Sequence, residues 1–285
     1  MIYAICGNKD EACNNGGENM RVAILSSGSK GNAIYIETPQ SKVLIDAGLS
    51  AKAISERLLD VGTYPEELSA VFVTHEHLDH IKGVGVLGRK FSLPVFATQK
   101  TWECMETKVG LLNEGQKCTI KKQGFLFNDM QFVAFPVSHD AVDPIGFAIV
   151  NNGKKLGIAT DSGVITPPMK DFLQGSHGLI LECNHDKELL ERSHYPFPLK
   201  QRIKSRIGHL SNEETIQALP YLIDSHVEKL ILGHLSEDNN RPNLVREMAL
   251  DALTRIKKLQ ELHIDVHNGY LDVVEQSGDI VHFYL

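Results

Sequence analysis

Cysteine is scarce in this sequence and follows no pattern: Cys6, Cys13, Cys104, Cys118 and Cys183 are an odd number with no Cys-x-x-Cys pair. That spacing excludes a disulfide framework and a cysteine-built zinc knot. Reduced thiols in a cytoplasmic protein are the simplest reading. Cys183, next to Glu182 in an apolar stretch, reads as a small core residue rather than a nucleophile. Long apolar runs are also missing. None reaches the roughly 18 residues that cross a bilayer, so no membrane association is expected. Residues 1–19 are polar, contain Asn14-Asn15-Gly16-Gly17 and lack a signal-peptide core. They read as a mobile extension, with one domain expected over residues 20–285. Positive charge is in deficit, since 29 Lys and Arg face 36 Asp and Glu for a net charge of -7. This argues against a generally basic nucleic-acid coat. It leaves room for a nucleic-acid substrate, because bound cations and a local basic patch can supply the positive field.

What remains is an ordinary globular composition, 42% hydrophobic and 23% charged over 285 residues, enough for a sizeable core. Apolar runs and turn residues predict strands over 21–25, 33–37, 42–46, 70–74 and 95–97. Helices are predicted over 50–61, 79–90 and 99–110, the second weakened by Gly83, Gly85 and Gly88. Strands follow over 117–121, 131–137, 145–150 and 155–159, with Asn151-Asn152-Gly153 as a hairpin turn. Helix 169–174, strand 178–183, helices 186–192, 197–207 and 212–224, strand 228–233 and helix 241–258 complete the central part. Short strands are predicted over 263–266, 271–274 and 279–284. Two strand-rich halves, each finished by helices, describe an α/β fold: an αββα sandwich of two packed sheets with helices on the outer faces.

The densest chemistry lies in Thr74-His75-Glu76-His77-Leu78-Asp79-His80. His75 and His77, two apart at a strand end, project to one side. Asp79 and His80 begin the next element. Four imidazole and carboxylate donors within six residues suit zinc, iron or manganese rather than calcium. Three more ligand-type residues each follow an apolar strand: His139 in Ser138-His139-Asp140, Asp161 in Thr160-Asp161-Ser162-Gly163, and His234 in Gly233-His234-Leu235-Ser236. Singly each is an ordinary turn residue. Together they stand where open α/β architectures gather their sites.

The combined pattern resembles the metallo-β-lactamase-fold hydrolases, over residues 21 to about 285. The family hallmark HxHxDH stands as His75, His77, Asp79 and His80, and Asp46 in Leu44-Ile45-Asp46-Ala47-Gly48 matches an earlier family aspartate. By resemblance, His75, His77 and His139 hold one metal, Asp79, His80 and His234 hold a second, Asp161 bridges them, and Asp46 orients the ligands. The segments Ser26-Ser27-Gly28-Ser29-Lys30-Gly31-Asn32, Glu182-Cys183-Asn184-His185-Asp186, Gly208-His209-Leu210-Ser211-Asn212 and the stretch from Gly233 to Asn240 are similar to the YycJ/WalJ-type subgroup. That subgroup is associated with nuclease or phosphodiesterase activity, and with DNA repair and cell-wall regulation.

Two divalent ions about 3.5–4 Å apart would hold a bridging water, lower its pKa and clamp the oxygens of an in-line displacement. Asp79 would orient that water and accept its proton. A leaving alkoxide needs an acid, and His209 and His185 are the candidates outside the ligand set. The start of helix 212–224, with Ser211 or Asn212 as cap, favours an anion, although a plain helix start explains it equally well. Lys200, Arg202, Lys204 and Arg206 form the densest basic cluster, of which a phosphate-facing subset, with Lys200, is expected beside ordinary solvated charge. Tyr195 and Phe197 could stack on bases or simply pack. The loop around Ser29 has two readings, a small-residue turn that brings backbone N–H groups to an anion or only a tight hairpin. These readings point to a two-metal phosphodiesterase or nuclease on DNA or RNA, in particular a 5'-3' exonuclease. The alternative is a small-molecule hydrolase, either a cyclic phosphodiesterase or a glyoxalase II-like thioesterase.

Overall fold

The computed structural model describes residues 20–121, 124–260, 270–274 and 280–285. The extension expected over 1–19 and the strand expected over 263–266 lie outside the described residues. The chain opens with β1 (Arg21–Ser26), β2 (Ala33–Thr38), β3 (Ser41–Ile45), α1 (Ala51–Asp60), β4 (Ala70–Phe72), α2 (Leu78–Ile81), α3 (Val84–Phe91), β5 (Val95–Ala97), α4 (Gln99–Val109) and β6 (Lys117–Thr119). It continues through β7 (Phe125–Phe127), β8 (Met130–Pro136), β9 (Ile145–Asn151), β10 (Lys154–Ala159), α5 (Pro167–Leu173), β11 (Gly178–Glu182), α6 (Lys187–Arg192) and α7 (Phe197–Ile203). It ends with α8 (Asn212–Leu222), β12 (Lys229–Gly233), α9 (Pro242–Gln260), β13 (Leu271–Val273) and β14 (Val281–Tyr284).

Two seven-stranded sheets result, in the orders β14-β1-β2-β3-β4-β5-β6 and β13-β12-β11-β10-β9-β8-β7. Each is half antiparallel and half parallel. Alternation along the strands explains the layering, because successive side chains go to opposite faces. In β1, Val22 and Ile24 face the second sheet while Ala23 and Leu25 face α1 and α3. In β12, Ile231 joins the inter-sheet core while Leu230 and Leu232 pack under α5, α8 and α9. Phe72 seals the middle, stacked on Phe96 at 4.7 Å and on Phe132 at 4.2 Å between ring centres. The helix-sheet-sheet-helix order predicted from the sequence is what forms.

Three local differences have physical causes. The helix expected over 79–90 is broken into α2 and α3 at Gly83, whose N–H donates to Ala47 O. A Cβ on Gly48 would sit 1.6 Å from Asp79 O, so the histidine segment lies directly on this backbone. The helix expected over 197–207 stops at Ile203, where His209 N–H folds back onto its carbonyl. Strand β7 was missing from the sequence reading. The turn at Asn128-Asp129 joins it to β8, and Asn128 takes a left-handed φ of 51°.

Candidate metal centre

The ends of β3, β4, β8, β10, β11 and β12 converge, and each delivers one part of the site. The bend that turns its side chain inward is marked at three of them. Asp46, Asp161 and His234 follow their strands with φ of 61°, 53° and 57°. Left-handed backbone costs a non-glycine L-residue about 1–3 kcal/mol, and such strain gathers at functional positions.

The first group is His75, His77 and His139. His75 Nε2 lies 3.1 Å from His77 Nδ1, and His139 Nε2 lies 3.2 Å from that same atom. His139 Nδ1 donates to Gly208 O at 3.1 Å, which fixes its tautomer and leaves the Nε2 lone pair facing the group. Burial, and then the neighbouring charge of His80, holds the His75 imidazole well below its ordinary pKa. Three imidazoles whose ring nitrogens converge on one point are what a divalent cation takes.

The second group centres on Asp161. Its Oδ2 is 3.2 Å from His80 Nε2 and 3.3 Å from His234 Nδ1. Asp161 Oδ2 and His234 Nδ1 are both buried and make no hydrogen bond among the described residues. Two buried ligand atoms that face each other with no hydrogen bond are satisfied by a cation. Burial disfavours the Asp161 carboxylate, yet the surrounding His234 and His80 hold its pKa well below the usual range. His80 shows the complementary effect: burial opposes its charge, and the Asp161 and Asp46 carboxylates outweigh burial and hold it well above its ordinary value. The carboxylates thus draw a positive charge to this point. His75, His80 and Asp161 also gather as a third set, so the two groups share a boundary. Asp79 is more open and its Oδ2 lies 3.7 Å from His80 Nε2.

Asp46 binds none of this directly. Its Oδ1 accepts from Thr74 N–H, and its Oδ2 accepts from Thr74 Oγ1 and His80 Nδ1, all at 2.8 Å. It therefore aims His80 Nε2 inward. Ser27 Oγ accepts from His234 N–H and Asn184 Nδ2 donates to His234 O, which hold the third strand end.

The site opens into a cleft of about 500 Å³ whose lining includes Ser29, His77, Asp79, Lys108, Asp161, Tyr195, Leu199, Arg202, His209 and His234. A wider surface groove of about 850 Å³ lies by Arg21 and Arg57, away from the histidine groups. His209 reaches the cleft, whereas the other expected acid does not. His185 is buried, pairs through its backbone with Ser211, and is pushed down to about 4 by burial. Ser211 is likewise buried as the N-cap of α8, its Oγ shared between Glu214 N–H and the Glu214 carboxylate. Lys200 Nζ turns to Glu191 O, outside the cleft lining. The geometry thus gives His185, Ser211 and Lys200 structural contacts away from the cleft.

The residue that sequence reading missed is Glu182. Fully buried at the end of β11, it accepts from Ser162 N–H through Oε2 and holds His209 Nδ1 at 2.7 Å through Oε1. Burial works against a charged His209, but Glu182 raises it to about 9. A carboxylate ending an all-apolar strand was the available signal, because such a group is buried only with a partner.

No helix among the described residues is long and apolar enough to cross a membrane. A family model described as a beta-lactamase superfamily domain matches residues 41–235. The chain is 40% identical over 228 residues to a Bacillus anthracis protein named exodeoxyribonuclease YycJ, covering 80% of this chain and 86% of that one. It is 39% identical over 249 residues to exodeoxyribonuclease WalJ of Streptococcus pneumoniae, covering 86% and 90%. Among solved structures, the metallo-β-lactamase fold protein YhfI of Bacillus subtilis superposes with a TM-score of 0.67 at 17% identity, over 93% of this chain and all (100%) of that one. This likeness concerns the fold alone. With its paired histidine and aspartate groups at the matched strand ends, the chain belongs to the beta-lactamase superfamily and is a metal-dependent hydrolase.

Proposed function

We propose that this hydrolase cleaves phosphodiester bonds of DNA as an exonuclease, using two divalent ions, zinc, manganese or iron, held by His75, His77 and His139 on one side and Asp79, His80 and His234 on the other, with Asp161 between them. The observation that carries this reading is the Glu182–His209 pair beside Asp161 in the cleft. A phosphodiester leaves as an alkoxide and needs a proton, whereas a thioester leaves as a stable thiolate and does not. The activity that the two bacterial relatives' names print agrees with it.

The bound ions would supply Lewis-acid stabilisation of phosphate charge and acidify water. Asp79, at the cleft wall, takes the proton of the attacking water. The water oxygen forms its bond to phosphorus as the bond to the leaving sugar oxygen breaks. His209 gives its proton to that oxygen, since Glu182 occupies Nδ1 and leaves the Nε2 edge for the cleft. A cytoplasmic setting accords with a DNA substrate and with the free thiols of Cys104, Cys118 and Cys183.

The test is hydrolysis by metal-loaded protein of end-labelled DNA, RNA, a cyclic phosphodiester and a glutathione thioester. Nucleotide release from DNA, abolished in His75→Ala and Asp79→Asn, supports the reading. Turnover of the thioester or the cyclic diester with DNA left intact refutes it.

A further inference from the structure

The basic cluster that the sequence places along residues 200–206 is not one surface. Lys200 and Lys204 both turn to Glu191, through its carbonyl and its carboxylate. Arg202 turns the other way and lines the cleft with His77, Asp79, His139 and His209. Its Nε donates to Asp140 Oδ2, and Asp140 Oδ1 lies 3.5 Å from His139 Nε2, the atom that faces the three-histidine group. The guanidinium is therefore tied in register with the metal centre by one carboxylate. Its two terminal amino groups make no hydrogen bond among the described residues, and the side chain is 56% exposed. A guanidinium held at Nε still offers a planar edge of donors matched to phosphate oxygens.

Resting on the exonuclease reading above, we propose that Arg202 is the substrate-phosphate contact of this cleft, gripping a backbone phosphate next to the one that is cut, and that Lys200 and Lys204 do not take part. Tyr195, whose hydroxyl donates to Asp238, and Leu199 form the apolar wall beside it, which suits the sugar and base of the same nucleotide.

Binding of a fluorescent 12-nucleotide phosphorothioate DNA, which resists cleavage, to metal-loaded protein over a range of salt concentrations tests this. Each phosphate neutralised contributes about 0.7 to the slope of log affinity against log salt on single strands. Arg202→Gln is expected to lower the slope by about that amount and weaken binding roughly tenfold, as for loss of a phosphate contact. Lys200→Gln, the same change of charge on the same helix, keeps the wild-type slope. Equal slopes for wild type and Arg202→Gln, or an equal fall in both variants, overturn the assignment of Arg202. A wild type that does not bind the DNA overturns the nuclease reading itself, and this proposal with it.

Discussion

Asp46 and Glu182 do similar work on two sides of Asp161, each holding the Nδ1 of one imidazole, so that His80 Nε2 faces Asp161 and the other edge of His209 is left for the cleft. Replacing Asp46 by Asn keeps the size but weakens the pull on His80 Nδ1, and metal affinity should fall about 10–100-fold, as for other partners that orient metal ligands. Competition with a chromogenic chelator reads this directly. Glu182→Gln removes the charge that holds His209 protonated. His209 sits near 9, so its acid form is complete below its ordinary pKa and is lost as the pH rises through about 9. In the Gln variant that loss moves to lower pH, so the alkaline fall of DNA hydrolysis begins at lower pH, whereas His209→Ala removes the acid and lowers the rate by about 10²–10⁴, the usual contribution of a positioned acid. A pH–rate profile that is the same in wild type and Glu182→Gln contradicts the acid role. At this scale the sequence was most legible where donors are consecutive, as in His75–His80. It was least legible where a partner 27 residues away decides the role, as with Glu182 and His209, or where two neighbouring cations on a helix are separated only by their partners, the Glu191 carbonyl for Lys200 and the Asp140 carboxylate for Arg202.

Among the elements, α8 forms the plain helix start, one of the two readings of its motif. Ser211-Asn212-Glu213-Glu214 predicts a helix start, and a capping box forms there. The Ser211 hydroxyl accepts from Glu214 N–H and donates to the Glu214 carboxylate. Ser211→Ala should cost about 1 kcal/mol in urea unfolding. Backbone and hydroxyl hydrogen bonds from Ser211 outweigh burial and lower the pKa of Glu214. Its folded-state pKa being depressed, its contribution is present above the ordinary carboxylate range and disappears as the pH falls through the lowered value. Stability of Glu214→Gln compared with wild type should converge in acid. The break between α2 and α3 was legible only as a scatter of glycines. Their reason is close approach, and a Cβ at Gly48 against Asp79 O should destabilise the Ala variant by about 1–3 kcal/mol while loosening the histidine segment. Denaturation with and without added metal would separate the two effects.

At the scale of the whole molecule, the fold brings residues from 46 to 234 to one end of two facing sheets, so ligand binding and folding are coupled. A metal present at 100 times its Kd should raise the unfolding free energy by about 2.7 kcal/mol per site, and chelation should reverse this. The layer order was legible because strand alternation and helix spacing are local. The meeting of six strand ends was legible only through residue type, since nothing in the spacing of His139, Asp161 and His234 shows that they touch. Asp161 is where the groups meet, and the account depends on it most. The decisive measurement is the rate of nucleotide release from end-labelled DNA by metal-loaded wild type and by Asp161→Asn, which keeps the shape and removes the charge. The account predicts metal-dependent release by the wild type and a loss of at least about 10³-fold in the variant, comparable to removing a major charge-stabilising group. A variant that releases nucleotides at the wild-type rate would contradict it.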